Sequence, residues 1–185
     1  MVEESLAEAK DRMEKAVDAL REDLMSIRTG RASPALVERL RVDYYDTATP
    51  LNQMASISAP EPRLLVIRPW DPTALEGIEK ALLKSDLGLT PNNDGVVIRL
   101  SIPPLTEERR RDLGKLVGRR VEEGRIAVRN IRRDVQDDLR DLEKEKLITE
   151  DDLFRGREKL QELHDEYVER MEQIGEAKQK EILEV

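Results

Sequence analysis

The chain contains no cysteine and only one histidine, His164. The absence of cysteine excludes disulfides, thiolate metal sites and cysteine nucleophiles, and one histidine cannot build a histidine-based metal cage. Aromatic residues make up only 3% of the 185 residues, which argues against an all-β sandwich. No apolar run reaches the length of about 18 residues that crosses a membrane, and the acidic N-terminus is unlike a secretory signal. We therefore expect a soluble, cytoplasmic protein without a cofactor.

All nine prolines lie between Pro34 and Pro104. Proline inside a helix costs about 3 kcal/mol, so the proline-free flanks are expected to be helical. The proline-containing segment, residues 31–104, holds 17 charged residues, whereas the other 111 residues hold 55. The sequence therefore predicts an α+β protein in which residues 1–30 and 105–185 form a helical domain and residues 31–104 form a small inserted domain.

Apolar residues in the flanks recur at spacings of three, four or seven, which is typical of helices with one buried face. The first helix should carry its apolar stripe to Ile27 and stop at Thr29-Gly30, since glycine accepts the left-handed position after a helix. The second should run from about Thr106 to Lys146, and the third should begin near Thr149. Because such narrow stripes need partner helices, we expect an elongated, antiparallel three-helix bundle.

The central segment shows the alternation of strands. Leu40, Val42 and Tyr44 alternate with Arg41, Asp43 and Tyr45, which predicts a half-buried strand, and residues 64–67 and 96–102 form two further predicted strands. Asp71-Pro72 is a strong helix start, and Gly88 is expected to end that helix. Strands and one helix in this short segment predict a small α/β domain of β-strands plus one helix.

The chain passes twice between the two predicted domains, through Gly30-Arg31-Ala32 and through Pro103-Pro104-Leu105. These connections lie close together if the bundle is antiparallel. They could then act as a hinge or as a rigid junction, and the residues alone leave both open.

No catalytic constellation is present in the sequence. It lacks a glycine-rich phosphate loop and a paired-histidine zinc helix, and His164 has no obvious serine partner. The acidic pairs Asp137-Asp138 and Asp151-Asp152 are expected to lie on solvated faces. We therefore expect a protein that is not an enzyme.

The net charge of −8 conceals an uneven distribution. Residues 106–133 hold ten basic and five acidic residues, and nine of the ten bases are arginine; residues 134–185 hold nine basic and 18 acidic residues. On a helix of 3.6 residues per turn, six bases of this segment fall within roughly 100° of one another. They are Arg111, Lys115, Arg125, Arg129, Arg132 and Arg133.

These arginines have two possible partners. They could pair with acids of neighbouring helices, or they could bind RNA phosphates, which the planar guanidinium contacts with two donors at once. The run from Arg125 to Arg133 contains no acid, so pairs within it are absent and an RNA contact is favoured. Few aromatics are available to stack on bases, which favours docking on a structured RNA through its backbone.

Several motifs closely resemble the bacterial ribosome recycling factor family over essentially the whole chain. They are IRTGRASP at residues 27–34, DYY at 43–45, PLNQ at 50–53, SDLGLTPN at 85–92, IPPLTEERR at 102–110 and VRNIRR at 128–133. The chain departs from the family pattern at Asp46, where glycine is usual, and at Gly114, Gly118 and Gly124 within a long helix. Each of these helical glycines costs about 0.5–1 kcal/mol relative to alanine.

The resemblance implies a translation factor that binds the ribosome after termination, in the intersubunit space, with its bundle along large-subunit RNA. Elongation factor G, using GTP, then acts on it to separate the subunits and release the messenger. The resemblance also implies that the protein acts as a monomer and without a membrane. The implied RNA-binding residues are Arg28, Arg31, Arg110, Arg129, Arg132 and Arg133, and the implied hinge residues are Thr29, Gly30, Arg31, Ala32, Pro103, Pro104 and Leu105.

Two other classes remain open from the residues alone. A coiled-coil adaptor would bind a protein through its acidic helices and would show no salt-sensitive RNA affinity. A hydrolytic enzyme with an unrecognised carboxylate pair would be exposed by a substrate screen.

Overall fold

The computed structural model describes residues 1–27 and 29–184. These residues divide into two compact units. The first comprises Met1–Leu24 and Arg111–Glu184, and the second comprises Met25–Arg110.

The first unit contains α1 (Val2–Met25), most of α3 (Glu107–Lys144) and α4 (Glu150–Leu183). Lys159 of α4 binds Glu3 of α1 and Arg170 binds Glu14, so these two helices run parallel. Arg125 of α3 binds Glu172 of α4, whereas Arg132, further along α3, binds Gln161, earlier in α4, so α3 runs antiparallel to α4. The three apolar stripes are buried between the helices, as the spacing predicts.

Two of the helix boundaries follow from hydroxyl caps. The Thr106 hydroxyl accepts the backbone N–H of Arg109 at the start of α3, 3.1 Å away. Thr149 and Asp152 form a reciprocal capping box at the start of α4. α1 ends at Met25, earlier than its apolar stripe predicts, although Ile27 is buried and Gly30 has the expected positive φ of 82°.

A network of polar side chains joins α1 to α4 beside this core. The Arg170 guanidinium donates to both carboxylate oxygens of Glu14, at 2.8 and 2.9 Å, and lies 4.9 Å from the centre of the Tyr167 ring. The buried Tyr167 hydroxyl donates to the same carboxylate at 2.8 Å. The Arg170 and Tyr167 hydrogen bonds lower the pKa of Glu14 to about 2.

The second unit is built on a four-stranded antiparallel sheet with the order β3-β4-β6-β5. Its strands are β3 (Ala55–Glu61), β4 (Leu64–Pro69), β5 (Pro91–Asn93) and β6 (Ile98–Ser101). A separate hairpin pairs β1 (Arg41–Tyr44) with β2 (Thr47–Pro50). Ile67 in the middle of the sheet lies opposite Ile57 and Ile98, and an apolar core forms around it.

One helix, α2 (Leu75–Lys84), lies against β1 and β5. Asp71 accepts the backbone N–H of Thr73 in the turn that leads into it, as Asp71-Pro72 predicts. The prediction that Gly88 ends the helix is wrong, because α2 ends at Lys84 and Gly88 occupies a later turn with φ of 65°.

Candidate nucleic-acid interface

The arginine-rich side of α3 lies beside the stripe that faces the bundle core. The buried stripe includes Val117, Val121, Val128, Ile131 and Val135. At 3.6 residues per turn, the arginines are centred roughly 110° around the helix from this stripe, where their charged ends reach water. We call Arg111, Lys115, Arg125, Arg129, Arg132 and Arg133 the arginine face.

One edge of the arginine face is anchored to α4. Arg125 binds Glu122 on its own helix at 2.9 Å and Glu172 on α4 at 3.2 Å. Arg132 donates to the side-chain oxygen of Gln161 on α4 at 3.0 Å. Pairing with a neighbouring helix therefore occurs at this edge, and the sequence run from Arg125 to Arg133 does not reveal it.

The centre of the arginine face is different. Arg129 and Arg133 are exposed, and within the described part of the chain neither forms a hydrogen bond or an ion pair. Lys115 is exposed and unpaired among the same residues. Arg111 is exposed too and has an interaction of its own. Arg129 and Arg133 thus present unneutralised guanidinium groups to solvent, one helical turn apart.

The remaining predicted RNA-binding residues belong to the chain near the connections. Arg31 is exposed and Arg110 is half-buried, and both fall within the second unit. Arg28 lies outside the described residues. Arg129, Arg132 and Arg133 therefore lie in the first unit, on α3, whereas Arg31 and Arg110, the latter in the first turn of α3, belong to the second unit.

Acidic residues next to the arginine face are already engaged. His164 lies 3.0 Å from Asp165, and Gln161 donates to the same carboxylate at 2.8 Å. The His164 contact and, further away, the charge of Arg132 hold the pKa of Asp165 below its usual range. This is a surface cluster on α4 without a nucleophile, and no group of side chains in residues 1–27 and 29–184 could hold a metal ion.

Both predicted hinge segments are fixed at one end by the same turn. The Ala32 N–H donates to the Pro62 carbonyl at 2.7 Å, and the Ile102 N–H donates to the Arg63 carbonyl at 2.8 Å. Pro62 and Arg63 form the turn between β3 and β4. The neighbouring residues of the second connection, Pro103 and Pro104, are exposed.

Sequence reasoning missed a shallow groove of about 390 Å³ between α3 and α4. Gly118, Gly175 and Gln179 line it. The Gln179 side chain also crosses from α4 to α3, where it donates to the Gly114 carbonyl at 3.4 Å. The four-residue spacing of Gly114 and Gly118 was the signal for a recess on this side of α3. Arg125 lies at its margin, between the groove and the free arginines.

Comparisons with known proteins agree on one family. The family model described as ribosome recycling factor matches residues 20–183. The chain is 54% identical to the ribosome-recycling factor of Carboxydothermus hydrogenoformans and 57% identical to that of Halalkalibacterium halodurans, each over 100% of both chains.

Solved structures give the same result. A solution structure of the ribosome recycling factor matches with a TM-score of 0.81 and 42% identity, covering 100% of this chain and 98% of the other. A second structure describes models for the T. thermophilus ribosome recycling factor and the E. coli elongation factor G bound to the E. coli post-termination complex. It matches with a TM-score of 0.69 and 46% identity, over 99% of each chain.

No helix within the described residues has the length and apolar character needed to span a membrane. The α+β fold, the helical bundle with its small antiparallel sheet, and the sequence comparisons are consistent with one another. The chain belongs to the ribosome recycling factor family, whose members are translation factors and not enzymes.

Proposed function

We propose that this chain disassembles the post-termination ribosome together with elongation factor G, and that it docks on large-subunit rRNA through its arginine face. Support for the setting comes from the related T. thermophilus factor, which is described together with elongation factor G on a post-termination complex. Support for the docking surface comes from this chain's own charges. The action takes place on ribosomes in the cytoplasm.

The observation that carries the docking proposal is the free pair Arg129 and Arg133. Surface arginines with no acidic partner keep their full charge and all five donors for an external anion. Arg132 would join them by its remaining donors, while Arg28, Arg31 and Arg110 would extend the contact near the connections. Phosphate oxygens of a folded RNA are the ligands that suit such a set.

The acidic remainder of the chain determines which side of the bundle can approach RNA. Residues 134–185 carry 18 acids against nine bases, and residues 1–30 carry eight against five. These surfaces would repel an RNA backbone, so the arginine face is the side of the bundle that can approach it. An adaptor that bound a protein through acidic helices would leave Arg129 and Arg133 without a role.

For subunit separation we propose that residues 1–30 and 105–185 act as one body and residues 31–104 as another. Movement would occur at Thr29-Gly30-Arg31-Ala32 and Pro103-Pro104-Leu105. Gly30 has a φ of 82°, a conformation that other residues resist, and the two prolines keep the second connection from becoming helical. Elongation factor G with GTP would act on the smaller body of a monomeric factor.

The test is co-sedimentation with vacant ribosomes and with isolated subunits across a salt series. Four to six phosphate contacts predict a slope of about −3 to −5 in a plot of log affinity against log salt. The variant Arg129→Ala/Arg133→Ala should reduce that slope by roughly 1.4–1.8, since each lost contact removes about 0.7–0.9.

A matched control removes two positive charges elsewhere. Arg120 lies on the opposite side of α3 from Arg129, since the nine residues that separate them make about two and a half turns. It binds Glu123. Arg21 of α1 is paired with Asp18. The variant Arg21→Ala/Arg120→Ala should keep the wild-type slope. Equal slopes for both double variants, or a flat response of the wild type, would refute docking through the arginine face.

A further inference from the structure

One arginine of the arginine face is held by an uncharged partner. The Arg132 guanidinium donates through Nη1 to the side-chain oxygen of Gln161 on α4, 3.0 Å away. Arg132 is half-buried, and it forms no other hydrogen bond or ion pair in the described part of the chain. Arg125, at the same edge, is held instead by the carboxylates of Glu122 and Glu172. The two anchored arginines therefore differ in the charge of the group that holds them.

An uncharged anchor fixes a guanidinium without cancelling its charge. A carboxylate beside an arginine neutralises it, so an incoming phosphate has to compete with that acid. An amide oxygen accepts one N–H donor and adds no net charge. Arg132 therefore keeps its full positive charge, and the donors that Gln161 does not use can bind an external anion.

The Gln161 amide has only one orientation that suits its neighbours. A guanidinium only donates hydrogen bonds, so the amide oxygen must face Arg132. A carboxylate only accepts them, and the amide nitrogen accordingly donates to Asp165 at 2.8 Å, about one turn further along α4. Exchanging the amide oxygen and nitrogen would place donor against donor and acceptor against acceptor. Asp165 thus fixes the direction in which Gln161 presents its oxygen.

The Asp165 carboxylate is itself held by a second side chain. His164 Nδ1 lies 3.0 Å from the same carboxylate oxygen that Gln161 binds. An ionised carboxylate is a stronger acceptor than a neutral one, which strengthens its hold on the amide. Among the described residues no hydrogen bond or ion pair joins Asp165 to Arg132 directly. The contacts therefore form a relay from α4 to α3 that restricts the Arg132 side chain.

Arg132 lies beside the two free arginines of the arginine face. Arg129, Arg132 and Arg133 fall within about 100° around α3 and within about 6 Å along its axis. Arg129 and Arg133 have no partner among the described residues, so each loses rotamer freedom when a phosphate orders it. Arg132 is already ordered in part. Within this cluster it is the side chain whose position is set before RNA arrives.

We infer that Gln161 is a positioning residue for RNA docking, which holds the Arg132 guanidinium in place with its charge intact. Gln161 acts through Arg132 and needs no contact with RNA of its own. The inference rests on the proposed function, in which the arginine face binds rRNA phosphates.

Two substitutions of Gln161 separate the position of Arg132 from its charge. Gln161→Ala removes the anchor and leaves the charge. In co-sedimentation with vacant ribosomes its affinity should fall by about threefold to tenfold at every salt concentration, with the wild-type slope. Gln161→Glu keeps the shape and adds a carboxylate that pairs with Arg132. Its slope of log affinity against log salt should be less steep by about 0.7–0.9, the contribution of one phosphate contact.

A double-mutant cycle tests whether Gln161 acts through Arg132. After Arg132→Ala there is no guanidinium to hold, so Arg132→Ala/Gln161→Ala should bind as weakly as Arg132→Ala alone. Gln179→Ala is the matched control, because Gln179 also crosses from α4 to α3 and donates to the Gly114 carbonyl, without an arginine. It should keep the wild-type affinity and slope. Thermal unfolding of each variant checks that the bundle is intact.

The results that would overturn the inference are distinct from one another. Additive losses in the cycle would show that Gln161 acts on RNA or on the bundle without Arg132. Wild-type affinity of Gln161→Ala, or a wild-type slope for Gln161→Glu, would remove the positioning role. An equal loss in Gln179→Ala would assign the effect to packing of α3 against α4. Failure of the proposed function is recognised separately, because the wild type would then lack the expected salt slope and Arg132→Ala would bind as the wild type does.

Discussion

Two glycines on facing helices should respond in opposite ways to alanine. A Cβ atom at Gly175 of α4 would lie 2.6 Å from a methyl carbon of Val121 on α3, closer than real Cβ contacts allow. A Cβ at Gly118 of α3 would meet no described atom within 4 Å. Val121 is β-branched and buried, so its methyl group cannot turn aside without disturbing the core. Gly175→Ala must therefore push α3 and α4 apart.

The magnitudes follow from two opposing effects. Overpacking a well-packed interface costs about 1–3 kcal/mol, and replacing a helical glycine with alanine returns about 0.5–1 kcal/mol. Taking the middle of each range, Gly175→Ala should lower the free energy of unfolding by about 1.2 kcal/mol, and Gly118→Ala should raise it by about 0.5–1 kcal/mol. At about 2–4 °C per kcal/mol for a chain of this length, the Tm values should move by about −2 to −5 °C and +1 to +4 °C.

Thermal unfolding followed by far-ultraviolet circular dichroism measures both variants, since the helices dominate that signal. Gly124→Ala adds an intermediate case, because its Cβ would lie 2.8 Å from the sulfur of Met171, a flexible side chain that can move. The expected order of Tm is Gly118→Ala, wild type, Gly124→Ala, Gly175→Ala. A Gly175→Ala variant as stable as the wild type would show that α3 and α4 do not pack as closely as the structure has them.

The pH dependence of stability should follow the carboxylates of Glu14 and Asp94, whose pKa values are both lowered to about 2. For Asp94 the main cause is hydrogen bonding from the backbone N–H groups of Val97 and Val96. Because these values lie below those of the unfolded chain, about 4.5 and 3.8, their stabilisation is complete above pH about 4.5 and lost as the pH falls toward 2. Urea unfolding measured at intervals from about pH 7 to about pH 2 should show this loss of free energy of unfolding. Glu14→Gln should make the free energy of unfolding depend less on pH. Tyr167→Phe should lower the free energy of unfolding in urea by about 1–1.5 kcal/mol, since one hydrogen bond is lost from a buried group; no change would mean that the Tyr167 hydroxyl is redundant beside Arg170. An engineered disulfide between the two proposed bodies, in a chain without cysteine, should leave ribosome co-sedimentation within a few-fold and abolish splitting until it is reduced. Splitting at full rate while oxidised would exclude the hinge.

The helical part of the fold could be predicted because its information is local. Thr106 and Thr149 mark the starts of α3 and α4 within one residue, since a capping hydroxyl acts on backbone N–H groups only two or three positions away. The stripe of α3 likewise depends only on spacing. Residues that α3 buries, such as Val128 and Val135, are the ones its periodicity selects.

The sheet was predicted less completely because its strands depend on distant partners. β3 (Ala55–Glu61) contains serines and a proline and has no clear alternation, yet it pairs with β4 along most of its length. β2 and β5 are short and polar, and only their hairpin partners make them strands. Pairing supplies the stabilisation that their own side chains lack.

The arginine face shows the same limit at the level of single residues. The sequence groups Arg125 with Arg129 because both lie on one side of a helix. The structure separates them, since Glu172, which binds Arg125, comes from a helix far along the chain. Only assembly of the bundle decides which arginines are neutralised. The role of Arg129, Arg132 and Arg133 in RNA binding stays a prediction.

Docking on the ribosome and splitting of the subunits can be separated experimentally if they are distinct steps. Arg129 belongs to the first unit and does not contribute to its apolar core, so its replacement should leave the fold unchanged. Arg129→Ala should therefore weaken ribosome affinity, and splitting at low ribosome concentration should fall with it. At saturating ribosomes, Arg129→Ala should split subunits at the wild-type rate, because saturation compensates for the weaker docking. A deficit that persists at saturation would mean that the arginine face also takes part in the splitting step.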